Sequence, residues 1–183
     1  MSIEYILPFD PQRYDVEITE GRNGPWGHRL VERKLSLPGR YARKDLRNAV
    51  DFALPLGAEV IVSRSGIVRG VIDCFDDFYE GEDPEIGVWG KANFIAIEHE
   101  DETIAWYSHL RKNSALVKEG QKVNPGRAIA VVGKTGWQKG GSHLHFQVTD
   151  AFCPGIFITP TLPVEFTNYQ GPLEHAELFG ALV

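Results

Sequence analysis

Short apolar runs set off by glycine constrain this chain more than any other feature. Glu59-Val60-Ile61-Val62 and Ile67–Ile72 flank a Ser65-Gly66 turn, and Phe94–His99 and Thr103–Tyr107 flank Glu100-Asp101-Glu102. Arg127–Val132 and His143–Thr149 are separated by a glycine-rich stretch from Gly133 to Gly141. Runs this short are strand-sized, and turns at such close intervals leave no room for helices between them. The pattern predicts an all-β, antiparallel meander with long loops. Tyr14–Ile18 alternates and reads as one more strand, and Ile156–Thr159 and Val164–Phe166 close the sheet. Leu173–Leu182 is the one stretch that reads as a short helix.

The chemistry is concentrated in His143-Leu144-His145-Phe146. In a strand, residues two apart point to the same face. His143 and His145 therefore project together into one groove, while Leu144 and Phe146 pack on the other side. Tyr107-Ser108-His109-Leu110 supplies a third imidazole, and Val50-Asp51-Phe52 supplies an acid between two apolar residues. Imidazole and carboxylate are zinc ligands, and imidazoles left over can move protons.

Five elements occur in order: Asp51-Phe52-Ala53-Leu54-Pro55, Tyr107-Ser108-His109-Leu110, Glu119-Gly120-Gln121-Lys122-Val123, Gly133-Lys134-Thr135-Gly136 and His143-Leu144-His145-Phe146. In this order they closely resemble the lysostaphin/LytM-type zinc metallopeptidases, over roughly residues 21–166. The resemblance implies an antiparallel β-sandwich or open barrel of the duplicated hybrid motif type. It makes the chain one domain over 1–183, with a core of about 14–166. It also implies a zinc endopeptidase acting on peptide bonds of bacterial cell-wall peptidoglycan. By the same resemblance Asp51 and His145 are metal ligands, and His109 and His143 are the catalytic imidazoles. Which of those two removes a proton from water, and which serves the oxyanion or the leaving amine, the residues leave open.

The first ligand is where this sequence departs from the pattern. The commonest form of the family is His-x-x-x-Asp, and the residue four before Asp51 is Arg47, whose guanidinium cannot bind a metal ion. Either the site is degenerate or a histidine arrives from elsewhere. His28 is the only histidine upstream of Asp51, and it follows the glycine-rich stretch Gly21–Gly27. Its context, residues 20–28, resembles a branch of the family in which the ligand follows a glycine-rich turn well before an Ala-Val-Asp-Phe run, which makes His28 the candidate third ligand, with an ordinary surface histidine as the alternative. The basic segment Arg29–Arg47 then reads as an insertion between two ligands, a length of loop that closure entropy penalises only slowly. It shows no clear strand period and reads as a surface loop, with a flap over the groove as its functional reading. Arg47 is expected to point away from the metal, toward the acidic run Asp73–Glu85 or an anionic wall peptide. The same departure keeps a second function class open: a non-catalytic LytM-type module that binds cell wall or activates another hydrolase.

The bulk numbers narrow the partners. A net charge of −6 argues against nucleic acid. No apolar run approaches the roughly 18 to 20 residues of a membrane span. The start, Met1–Pro8, has neither the basic residues nor the apolar stretch of a secretory signal, whereas a peptidoglycan substrate implies action in the cell envelope or outside the cell. Cys74 and Cys153 lack metal-ligand spacing and read as buried small residues or as a single disulfide. His99 and His175 have no motif around them and read as surface residues. The four tryptophans read as core by default, with Trp137 a candidate to line the substrate groove.

Overall fold

The computed structural model describes residues 4–24, 28, 30–34, 41–77, 91–136, 138, 141–152 and 160–173, with backbone alone in 30–34 and 41–44. The expected strand at Ile156–Thr159, the helix at Leu173–Leu182, Trp26, Trp89, Trp137, Cys153, His175 and the acidic run beyond Asp77 lie outside the described residues, apart from Leu173 itself. The described residues form strands and no helix. No helix among them is long and apolar enough to cross a membrane.

In chain order the strands are β1 (Glu4–Tyr5), β2 (Ile18–Glu20), β3 (Leu30–Lys34), β4 (Tyr41–Asp45), β5 (Val50–Ala53), β6 (Glu59–Ile61), β7 (Gly66–Ile72), β8 (Phe94–Glu98), β9 (Ile104–Ser108), β10 (Lys122–Val123), β11 (Ala128–Val131), β12 (His143–Thr149) and β13 (Glu165–Phe166). Seven of them make one antiparallel sheet in the order β10-β7-β8-β9-β12-β5-β2. The pair β6–β11 packs its Val60, Ile129 and Ala130 into the core that this sheet covers. β1 pairs with β13 in parallel, Glu4 opposite Glu165, which joins the two ends of the described chain.

The alternation read from the sequence sorts the two faces of the large sheet. Val50 and Phe52 of β5, Ile95 and Ile97 of β8, Ala105 and Tyr107 of β9, and Leu144, Phe146 and Val148 of β12 all enter one core. Each large side chain so buried is worth about 1.5–3 kcal/mol relative to exposure. Phe146 meets Tyr5, Tyr107 and Phe166 at ring-centroid distances of 6.0, 5.3 and 5.6 Å. The partners of those core residues turn to the opposite face: Asp51 on β5, and His143, His145 and Gln147 on β12. Beside them, Phe94, Ala96, Ile104 and Trp106 form a smaller apolar cluster. Trp106 stacks on Phe152, and its Nε1 donates to Thr149 Oγ1 at 2.9 Å.

Several expectations change. The basic insertion is a regular antiparallel hairpin rather than a loop, with β3 and β4 paired from Leu30–Asp45 to Lys34–Tyr41. Backbone pairing alone makes such a hairpin, so charged residues do not prevent it. The alternating stretch Tyr14–Ile18 contributes only Ile18 to a strand, and the pairing runs on to Glu20. Cys74 is an exposed free thiol rather than a buried small residue. His99 is buried, not a surface residue: Nδ1 donates to the Ser65 carbonyl at 2.8 Å, and the ring meets Tyr5 edge-on at 5.4 Å.

Candidate metal centre

Antiparallel pairing puts the first two candidate ligands opposite each other. The register of β12 against β5 sets His145 across from Asp51, and against β9 sets His145 across from Ser108. Facing residues share a side of the sheet, so the carboxylate and the imidazole meet: Asp51 Oδ1 lies 2.8 Å from His145 Nδ1. His143, two residues before, brings Nε2 to 3.5 Å from Asp51 Oδ2. His109 follows directly after β9 with φ of 65°, a left-handed conformation that is uncommon outside glycine. That turn brings its ring to 4.8 Å from His143 and 5.9 Å from His145, centroid to centroid.

His28 reaches the same place from the other side of the β3–β4 hairpin. Its Nε2 lies 3.3 Å from Asp51 Oδ1 and 3.4 Å from His145 Nδ1. Thus all five side chains singled out from the sequence come together, and three of them, His28, Asp51 and His145, present donor atoms within 4.8 Å of one another. Arg47 pairs elsewhere, and Asp45 accepts from its Nε at 2.9 Å and its Nη2 at 2.8 Å. Its partner is therefore the last residue of β4 rather than the acidic run. The return from the hairpin into β5 is pinned by Asn48, whose N and Nδ2 donate to Thr161 Oγ1 and O at 2.9 and 2.6 Å.

The outer hydrogen bonds fix which nitrogen of each ring carries a lone pair inward. A carbonyl oxygen only accepts, so His28 Nδ1–H donates to Gly21 O at 3.1 Å and leaves Nε2 bare. His145 Nε2 lies 3.0 Å from Gln147 Oε1 and Nδ1 lies 2.8 Å from the Asp51 carboxylate; in the tautomer whose Nε2–H donates to Gln147, Nδ1 is the inward ligand atom. With both rings neutral, the three atoms that converge are lone pairs and a carboxylate oxygen, separated by 2.8 to 3.4 Å. A cation, be it a proton or a metal ion, satisfies such a cluster. Four ligands around zinc at the usual bond lengths of about 2.0–2.1 Å stand about 3.3–3.4 Å apart. The donor set fits zinc, and the two spacings from His28, 3.3 and 3.4 Å, match that value, while Asp51 and His145 stand closer, at the hydrogen-bond distance of 2.8 Å.

The remaining rings are set for proton work. His109 Nδ1–H donates to Thr135 O at 2.7 Å, and His143 Nδ1–H donates to Gly141 O at 3.2 Å, so each keeps Nε2 as an acceptor. Burial, reinforced by His143 and His145, pushes the His109 ring down to about 3 and keeps it uncharged near neutrality. Burial pushes the Asp51 carboxyl up, but His143, His145 and His28 outweigh it and hold that carboxyl well below the usual range. For His28, burial acts downward and the Asp51 carboxylate raises the ring above the ordinary histidine value.

Sequence reasoning missed Glu20, Gly21 and Gln147. Gln147 carried a usable signal, since it continues the two-residue period of His143 and His145. Glu20 and Gly21 carried none, because their part in the site depends on where the chain returns after a turn.

Residues 45–153 match the model of peptidase family M23. The chain belongs to that family. The match takes in Asp51, His109, His143 and His145 and leaves out His28 and β3. The peptidoglycan DD-endopeptidase ShyB of Vibrio cholerae is 37% identical over 81% of the chain, which corresponds to 28% of that protein. The murein hydrolase activator NlpD of Escherichia coli is 37% identical over 32% of the chain, or 14% of that protein. The crystal structure of a zinc-containing peptidase from Vibrio cholerae superposes with a TM-score of 0.52 and is 29% identical, covering 85% of this chain and 37% of that one. The chain thus spans less than a third of the length of these two curated relatives.

Proposed function

We propose that this chain is a zinc metalloendopeptidase that hydrolyses peptide bonds in peptidoglycan. His28, Asp51 and His145 hold the metal, and His109 and His143 are the catalytic imidazoles. One observation carries the reading: three inward-facing ligand atoms, 2.8 to 3.4 Å apart, stand beside two further imidazoles whose Nε2 atoms are kept free of protons by their Nδ1 bonds. A structural zinc site closes with four protein ligands, while a three-ligand site leaves one position for water or substrate.

Zinc held there supplies a Lewis acid that polarises a peptide carbonyl and makes water a usable nucleophile near neutral pH. The protein does the rest. Asp51 provides the negative charge among the three ligands, and Gln147 and Gly21 keep the ligand rings turned inward. Nε2 of His109 or of His143 accepts the proton that water loses, and the ring so charged can pass it to the departing amine. If that proton first moves to the other ring, that ring can hydrogen-bond the developing oxyanion before the amine takes the proton. A cell-wall substrate has the chain act in the envelope or outside the cell.

The similarity to NlpD is what supports a second reading, a module that activates another hydrolase without cutting. That reading has no use for five converging ligands and bases. One experiment separates the two: purified peptidoglycan is incubated with the protein and the soluble fragments are identified by mass spectrometry. The enzyme reading expects newly cut stem or bridge peptides, their loss on chelation and their return with added zinc. Bound zinc with no cut peptide would leave the activator reading.

A further inference from the structure

When a ligand pair is four residues apart in sequence, the chain between the two goes far toward fixing their distance. Here the whole β3–β4 hairpin stands between His28 and Asp51, so something other than the local chain must hold His28 in place. The end of β2 does so. The register of β2 against β5 sets Glu20 opposite Asp51. Glu20 is 8% exposed, and its Oε1 accepts the backbone N–H of His28 at 3.1 Å. The next residue, Gly21, accepts from His28 Nδ1 at 3.1 Å. One bond fixes where the His28 backbone sits, and the other fixes how the ring is turned.

The Glu20 side chain is itself held. A Cβ on Gly24 would lie 2.3 Å from Glu20 Cγ and 2.6 Å from Oε1, so the absence of a side chain at Gly24 is what lets the carboxylate occupy its position. Asn23 N donates to Arg47 O at 2.8 Å and ties this turn to the connection between β4 and β5. Glu20, Gly24 and Asn23 thus form a bracket, anchored on β5, into which His28 docks.

We infer that Glu20 is a positioning residue for the metal site, one that accepts the His28 backbone N–H and so replaces the short tether between the first two ligands. It is not one of the three converging donors. The inference rests on the assignment of His28 as a ligand. Supports one step behind a ligand typically change metal affinity by about 10–100-fold when removed. Glu20→Ala should therefore weaken zinc binding by about that factor. Glu20→Gln, which keeps an acceptor oxygen without the charge, should stay within about threefold of the unmodified protein. Gly24→Ala, which displaces Glu20 sterically, should behave like Glu20→Ala.

The test is competition of the purified full chain against a zinc chelator, with circular dichroism to verify the fold of each variant. A second measurement needs no metal: 15N NMR of the His28 ring in the chelator-treated protein. The unmodified protein and Glu20→Gln should show one tautomer, protonated at Nδ1, and Glu20→Ala should show a mixture. The inference is overturned if Glu20→Ala keeps both the zinc affinity and the single tautomer, or if Glu20→Gln falls as far as Glu20→Ala, which would mean charge rather than the hydrogen bond. If the unmodified protein binds no zinc, the assignment of His28 as a ligand fails and takes the metal-site role of Glu20 with it, and the tautomer pattern then shows only whether Glu20 holds the His28 ring.

Discussion

Asp51 and His145 are 94 positions apart in sequence and meet at 2.8 Å across two neighbouring strands. The contact is made by register. A slip of one residue between β5 and β12 that turned the side chains of β5 to their opposite faces would bury the Asp51 carboxylate against Leu144 and Phe146 and expel Phe52 from the core. The apolar partners of the site residues thus guard the site, because they make any other register costly.

His145→Ala removes one of the three proposed ligands. The unmodified protein should hold one zinc per chain, and the variant should lose it on dialysis, as read by metal analysis. Retention of full stoichiometry in the variant would rule out His145 as a ligand.

His109→Ala and His143→Ala should keep zinc but cut peptidoglycan more slowly by a factor on the order of 10² or more, the usual contribution of a proton-transfer group. Loss of metal in either variant would show that ligand and base had been exchanged in the assignment.

Phe146 lies fully buried behind His145. Phe146→Ala should cost about 3–5 kcal/mol of unfolding free energy through lost burial and the cavity left behind. Urea unfolding of the metal-free protein measures this directly. A loss under about 1 kcal/mol would mean that the aromatic packing behind the site contributes little.

Zinc should raise the midpoint of thermal unfolding in proportion to the logarithm of its free concentration, since it binds the folded chain by way of a site that unfolding disperses. Asp51→Asn should abolish most of that increment. An equal zinc-dependent rise in this variant would place the stabilising metal elsewhere.

Asp101 offers a pH test far from the metal. Burial pushes its carboxyl up, but the Thr103 hydroxyl and the Arg64 guanidinium, at 2.7 and 2.8 Å, hold it below the ordinary value. A depressed folded-state value stabilises the protein above the unfolded value of about 3.9 and is lost as pH falls through the folded one. The carboxyl is partly open to solvent, so Asp101→Asn should cost at most about 1 kcal/mol at pH 7. The gap should close as the pH falls below about 3.9. A gap that stays constant with pH would assign the effect to lost hydrogen bonding alone.

Much of this was legible in the sequence. Leu144 and Phe146 alternate with His143 and His145, and a period of two assigns faces without any knowledge of neighbours. Glycine punctuation announced the β6–β7 and β11–β12 segments, and the acidic turn Glu100-Asp101-Glu102 announced β8–β9, because turns are local. The order of motifs around Asp51, His109 and the histidine pair announced the family. The β3–β4 hairpin was not legible, since backbone pairing between charged strands leaves no hydrophobic period to read. Nor was the β1–β13 pair, made of two-residue strands from the two ends of the described chain. The position of His28 was decided by tertiary structure alone: its sequence neighbourhood allowed either a ligand or a surface residue. What brings Nε2 to 3.3 Å from Asp51 is the return of the hairpin onto β5 and the hydrogen bonds to Glu20 and Gly21. Alternation and turn chemistry are properties of a few consecutive residues, and the sequence determines them outright. Which distant segments close around one point depends on the register of strands that share no local contact, and only the folded chain decides that.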